Sequence, residues 1–216
     1  MLKITKKYMT QNDCYKDGRM ITDLHGFILH STATPGVMAA KWYAVWNKPG
    51  VAKCVHGFID NKEAFQYLPW LKRAWHTGPG EAQDHYIGIE MCEDKGWSKA
   101  YFMATISNAV ELFAKLCKDN DKTEKNILSH KEAAAKGYAS NHGDPEHWFA
   151  KFDYTMDMFR KAVHMKLNPV ATPAKVNDYY KISVYAGETE AAAKRLKIKM
   201  AKEGYIGGVI EAVKRA

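Results

Sequence analysis

A chain of 216 residues with 46% hydrophobic and 26% charged residues has ordinary globular composition, and room for one substantial domain and a small second one. Its formal net charge of +8, from 32 Lys+Arg against 24 Asp+Glu, favours an anionic polymer as partner; no zinc-finger or RNP signature is present, so nucleic acid is not the expected one. No apolar run approaches the roughly 20 residues that span a membrane, and Cys14, Cys54, Cys92 and Cys117 show no C-x-x-C pairing that would suggest a disulfide or metal framework.

Residues 1–8 contain no apolar h-region, so no signal peptide is expected. Synthesis in the cytoplasm follows, and an outside target would require another factor to let the protein out. Residues 1–165 read as one α/β unit. Short apolar runs at 24–29, 54–59, 65–68 and 86–91 have the length and content of strands. Thr34-Pro35 resembles an N-cap followed by proline at the first helical position, leading into Met38, Trp42, Val45 and Trp46.

The clearest helix is 99–118: Phe102, Ile106, Ala109, Val110, Phe113, Leu116 and Cys117 share one face, with Ser98 as its cap. Cys92 and Cys117 fall in apolar patterns and read as buried thiols. A short helix at 131–136 stops at Gly137, a left-handed C′ position. Asp144-Pro145 opens a last helix with an apolar stripe of Trp148, Phe152, Phe159 and Val163. Strands interleaved with helices predict an α/β fold with a central mixed sheet flanked by helices.

Residues 166–177 hold Pro169 and Pro173 without periodicity and read as a linker. The remainder, 178–216, reads as a small βαβ unit: strand 180–185, helix 188–203, Gly204, strand 205–213. From 174 onward nine Lys+Arg oppose five Asp+Glu, a balance of +4 (9 − 5). A unit of about 40 residues does not bury a self-sufficient core, so it must dock, pair with a copy of itself, or stay partly ordered.

The chemistry lies in the histidines. His30 ends an apolar run, and His130 follows Ile127-Leu128-Ser129 in the same way; strand ends opening into loops are where sites are built. His142 and Asp144 sit in the loop Ser-Asn-His-Gly-Asp-Pro. Two histidines and one further ligand can hold a divalent metal and leave a coordination position open, the mark of a catalytic site. Spacing leaves His142 and Asp144 both open as the third ligand. Glu90 places a carboxylate in the apolar run Ile-Gly-Ile-Glu-Met; burial would raise its pKa and make it a better base near neutral pH. His76, in Trp-His-Thr-Gly, and His56, in Val-His-Gly-Phe, are candidates to line a cleft, with Trp75 and Thr32 beside them. His25, His85, His147 and His164 show no partner pattern.

His-Ser-Thr at 30–32, Trp-His-Thr-Gly at 75–78, Ile-Gly-Ile-Glu at 87–90, and Ser-His at 129–130 followed by a loop ending in Asp-Pro occur in this order over about 20–163. Together they resemble the zinc N-acetylmuramoyl-L-alanine amidases of type 2, the fold of peptidoglycan recognition proteins and many endolysins, and most of all those of phages and prophages of Gram-positive bacteria. The resemblance implies zinc as cofactor, with His30, His130 and Asp144 as its ligands and Glu90 as the catalytic carboxylate. Many relatives place lysine two residues before the third ligand; here that position is His142, which keeps a donor for an oxyanion but makes it depend on protonation. His76, Thr32, His56 and Trp75 become substrate contacts. The implied partner is the peptidoglycan of a Gram-positive wall, reached from the cytoplasm after a membrane lesion. The tail is similar to the first half of a SPOR-type glycan-binding domain, normally βαββαβ. Two chains pairing their tails would complete one such domain; a strictly monomeric species in sedimentation at high concentration would exclude that dimer.

Overall fold

The computed structural model describes residues 2–169. The βαβ unit expected at 178–216, with its likeness to half of a SPOR-type domain, and most of the segment read as a linker lie outside the described residues. Thirteen strands and α-helices follow one another: β1 (Ile4–Lys6), α1 (Asp13–Asp17), β2 (Gly26–Ser31), α2 (Trp42–Trp46), β3 (Gly57–Ile59), β4 (Ala64–Gln66), α3 (Glu81–His85), β5 (Tyr86–Met91), α4 (Lys99–Asp119), β6 (Ile127–Ser129), α5 (His130–Ala135), α6 (Glu146–Phe149) and α7 (Met156–Leu167). The strands form one six-stranded sheet in the order β1-β4-β3-β5-β2-β6. Among these described strands only β3 and β4 pair antiparallel and the other pairings are parallel, so the sheet is mixed as expected.

The central strands explain why the apolar runs were readable. All six residues of β2 are buried, and a parallel strand covered on both faces is apolar at successive positions rather than alternating. One layer is α4 with α7. Phe113 bridges them, meeting Phe27 of the sheet at 6.2 Å and Phe159 of α7 at 5.3 Å, both edge-on. The other layer holds Trp42 and Trp46; Trp42 stacks on Phe58 at 4.9 Å. The Ser98 side chain caps α4 by accepting from the Tyr101 N–H at 3.2 Å. Cys92 and Cys117 are buried thiols.

Several boundaries differ from the sequence reading. The run at 54–59 is extended but ladder-paired only over Gly57–Ile59, because Cys54 and His56 donate their N–H groups to Trp75 and Gly88 instead. The helix expected from Thr34-Pro35 begins later: Gly36 has φ 90°, and the chain passes through a 3-10 turn at Ala39–Lys41 before α2. The last helix is two. Asp153 takes a left-handed conformation with φ 52°, and the Thr155 side chain caps a new start at α7. That helix runs to Leu167, two residues into the expected linker. The helix ahead of Gly137 is present, and Gly137 has φ 77°. β1 and α1 carry too few apolar residues to signal themselves; the side chain of Asn12 caps α1 through the Cys14 N–H at 2.9 Å.

The topology positions the chemistry. β2, β5 and β6 are parallel neighbours, so their carboxyl ends share one edge, where ligands bind in sheets of this type. His30 on β2 stands opposite Glu90 on β5 in register. His130 follows β6 directly and opens α5. Among the described residues, no helix is long and apolar enough to cross a membrane.

Candidate metal centre and cleft

His30, His130 and Asp144 converge, offering ligand atoms that all lie within 4.8 Å of one another. His30 Nδ1 is 2.9 Å from Asp144 Oδ2, His130 Nδ1 is 3.4 Å from Asp144 Oδ1, and the two Nδ1 atoms are 3.2 Å apart. Both imidazoles are buried, while Asp144 is only slightly exposed. A capping box fixes the entry to α5: Ser129 Oγ accepts from the Glu132 N–H at 2.9 Å, and Glu132 accepts from the Ser129 N–H at 3.0 Å. The loop carrying Asp144 is tied back by its carbonyl, which accepts from the Lys131 N–H at 3.3 Å.

The outer ring nitrogens assign the tautomers. His76 Nε2 lies 3.2 Å from the Tyr86 carbonyl, an acceptor, so Nε2 carries the proton and His76 Nδ1 is a lone pair. That lone pair lies 2.9 Å from His30 Nε2, which must then be the donor. On the other side, Ser140 Oγ gives its proton to the Thr77 carbonyl at 2.8 Å and accepts from His130 Nε2 at 3.4 Å. Both inner Nδ1 atoms are therefore lone pairs, and they face a carboxylate. Three acceptors pointed at one another need a cation between them, so the donor set fits a metal, with outer nitrogens committed as metal-ligating histidines require. Burial opposes the charge on Asp144, but a proton on His130 or His30, taken in place of a cation, would hydrogen-bond to its carboxyl and hold it well below the usual carboxylate range. Burial lowers the pKa of His30.

Gly88 makes the outer contact feasible. A Cβ at this position would come within 2.2 Å of His76 Nδ1. Burial pushes His76 well below the ordinary histidine pKa and His56 to about 4, which keeps both neutral and able to accept. We expect Gly88→Ala to displace the His76 ring and weaken cation affinity at the triad by about 10- to 100-fold, the range found when outer-shell partners are removed. Competition with a metal-sensitive dye checks this; unchanged affinity would show that His76 does not orient His30.

Above the triad lies a cavity of about 730 Å³ whose walls include Thr32, Trp75, His76, Glu90 and His142. Glu90 Oε2 is buried without a hydrogen-bond partner. Burial raises the Glu90 pKa well above the carboxylate range, and the charges of Asp144 and Glu93 push it further. His142 is exposed, its ring 4.6 Å from that of His130 and its Nδ1 3.0 Å from Ser140 Oγ. His56 is placed otherwise than expected. It is fully buried behind the wall, accepting from the Gly88 N–H at 3.0 Å and donating to the Lys72 carbonyl at 2.7 Å, so it supports Gly88 and does not face the cleft.

Glu93 was missed by the sequence reading. Its buried carboxylate accepts from the Ala33 N–H at 3.0 Å and pairs with His147 at 2.9 Å. It thereby holds Ala33, a non-glycine residue with φ 44°, in the loop after His30. Burial opposes charge on Glu93, but the hydrogen bond and charge of His147, with the Ala33 N–H, bring its pKa below the usual value. The only signal was an acidic residue directly after the apolar run at 86–92. Ser140 gave none.

The sequence model of the N-acetylmuramoyl-L-alanine amidase family, Amidase_2, matches residues 21–147, a span that contains all of these groups. N-acetylmuramoyl-L-alanine amidase CwlL of Bacillus licheniformis is 28% identical over 151 residues, 63% of this chain and 41% of the relative. A probable N-acetylmuramoyl-L-alanine amidase of the same organism is 24% identical over 225 residues, 95% of this chain and 61% of the relative. The chain thus spans about half the length of these curated relatives. Among solved structures, the Staphylococcus aureus hydrolase AmiA in complex with its ligand superposes with a TM-score of 0.66 at 17% identity, covering 78% of this chain and 87% of that one. A mutant endolysin from Bacillus subtilis gives 0.58 at 24% identity, covering 76% and 99%. At these identities the structures speak for the fold, a mixed sheet flanked by helices. With the family match covering more than half of its residues, the chain belongs to the N-acetylmuramoyl-L-alanine amidase family.

Proposed function

We propose that this chain is a peptidoglycan hydrolase that cuts the amide between the lactyl group of muramic acid and L-alanine of the stem peptide, with zinc as its cation. The observation that carries this reading is the acceptor-only triad placed in one cavity with Glu90, whose buried Oε2 has no hydrogen-bond partner among the described residues. Two imidazoles and one carboxylate with an open side suit zinc better than magnesium or calcium. His30, His130 and Asp144 would hold it. When bound, it supplies a Lewis acid that polarises the amide carbonyl and makes water more acidic.

The remaining work falls to the chain. Glu90 removes a proton from the attacking water as the new C–O bond forms, and delivers it to the nitrogen as the C–N bond breaks. Its raised affinity for protons suits both halves of that exchange. His142, exposed at the rim, donates toward the carbonyl oxygen as it gains charge. Thr32, Trp75 and His76 present the wall against which the stem peptide lies. The surplus of +4 in residues 174–216 holds the enzyme to the anionic wall of a Gram-positive cell. Acting as an endolysin, the protein reaches its substrate after a membrane lesion.

Lysis of purified walls, followed as loss of turbidity, should stop after dialysis against a chelator and return on adding Zn²⁺. Lysis indifferent to the chelator would remove the cation from the account. Wall binding with zinc uptake and no loss of turbidity would make the protein a recognition module.

A further inference from the structure

The other ends of β2 and β5 hold a second cluster of the same kinds of ligand. His25 and His85 directly precede β2 and β5, and the His25 N–H donates to the His85 carbonyl at 2.8 Å, extending the ladder. Their rings stack at 4.3 Å with an interplanar angle of 8°. Asp23 completes a group whose ligand atoms lie within 4.8 Å of one another. From His25 to His30 is five residues along one strand, about 16 Å at roughly 3.3 Å per residue. The two clusters are therefore separate.

The ring nitrogens face backbone and carboxylate partners. His85 Nδ1 donates to the Asp23 carbonyl at 2.8 Å, which leaves Nε2 as a lone pair. His25 stands between two carboxylates, with Nε2 3.0 Å from Asp23 Oδ2 and Nδ1 3.1 Å from Glu81 Oε1. If Nδ1–H is given to Glu81, Nε2 and Asp23 are both acceptors on the same side. The result is the carboxylate–histidine arrangement that orients metal ligands, here with a backbone carbonyl serving the second histidine.

We infer that Asp23, His25 and His85 form a second, exchangeable site for a divalent cation of zinc's class, with Glu81 orienting His25. Paired imidazoles select Zn²⁺, Co²⁺ or Ni²⁺ over Mg²⁺ or Ca²⁺. The rings lie parallel, so one must turn about its χ2 torsion to bring both lone pairs to one point; both are only partly buried. The cation ties the segment before β2 to α3 and β5, at the opposite end of these strands from the triad. It is a structural clamp, and its loss leaves the hydrolytic groups in place.

The test is calorimetric titration of Zn²⁺ into the full metal-free chain. One equivalent should be lost in His85→Gln and in Asp23→Ala, whose exposed side chain contributes little packing, while both variants keep wall-lytic activity. The same equivalent should persist in the His30→Ala, Asp144→Ala double variant, so its fate is independent of the hydrolytic site. Glu81→Ala should weaken this step by about 10- to 100-fold, and Glu81→Gln, which still offers an acceptor, by less. Zinc uptake that neither His85→Gln nor Asp23→Ala reduces would overturn the second site.

Discussion

Glu90→Gln is expected to take up zinc like the parent protein and to hydrolyse wall about 10²- to 10⁴-fold more slowly, the usual contribution of a positioned general base. The substitution keeps the shape of a half-buried side chain that lines the cavity and removes only its ability to accept and return a proton. The pH profile of the parent carries the same information. Burial together with the Asp144 and Glu93 carboxylates raises the Glu90 pKa, so the ionised, basic form exists only above that raised value. Activity should therefore fall away on the acid side at a pH above the ordinary carboxylate range. A cation at the triad draws this limb downward, since positive charge favours the ionised form. Wall hydrolysis by Glu90→Gln at near-normal rate would assign the proton transfer to another group.

Asp144→Ala should lose cation and activity together. Its carboxylate is the only charged member of the triad, and without it two imidazole lone pairs 3.2 Å apart face each other with no negative charge behind them. The loss in affinity should exceed the roughly 10- to 100-fold cost of removing an outer-shell partner. Thermal unfolding gives a readout free of activity. Zinc at a hundred times its dissociation constant at this site stabilises the folded parent by about 2.7 kcal/mol, and the variant should forfeit that gain. Asp144→Ala that still took up zinc at the triad would make His142 the third ligand. The contrast between the two variants separates the roles: Glu90→Gln loses turnover alone, Asp144→Ala loses both.

What the sequence made legible follows from burial. β2 and β5 are covered on both faces, so Phe27-Ile28-Leu29 and Ile87-Gly88-Ile89 stand out as continuous apolar runs, and the polar residues that end them, His30 and Glu90, stand out in turn. The long amphipathic α4 was readable for the complementary reason, one buried face and one wet one. The choice between His142 and Asp144 was not readable from spacing, because both lie in one loop. In the fold Asp144 turns inward while His142 stays exposed, and on that placement rests the proposal of Asp144 as the ligand. Interactions between elements far apart in sequence left little trace. Ser140 reaches the Thr77 carbonyl across 63 residues, Glu93 reaches Ala33 across 60, and His76 reaches His30 only because Gly88 has no side chain. His56 looked like a cleft residue beside a glycine, whereas its ring is spent on two backbone groups. The break at Asp153 was hidden because Trp148, Phe152 and Phe159 keep helical spacing across it.

The central claim concerns which bond is cut, and end-group analysis of purified Gram-positive wall after digestion answers it directly. The account predicts new L-alanine amino termini, appearing with zinc and absent with chelator, and no new reducing sugars. New reducing sugars, or new amino termini belonging to any other residue of the stem peptide, would contradict it.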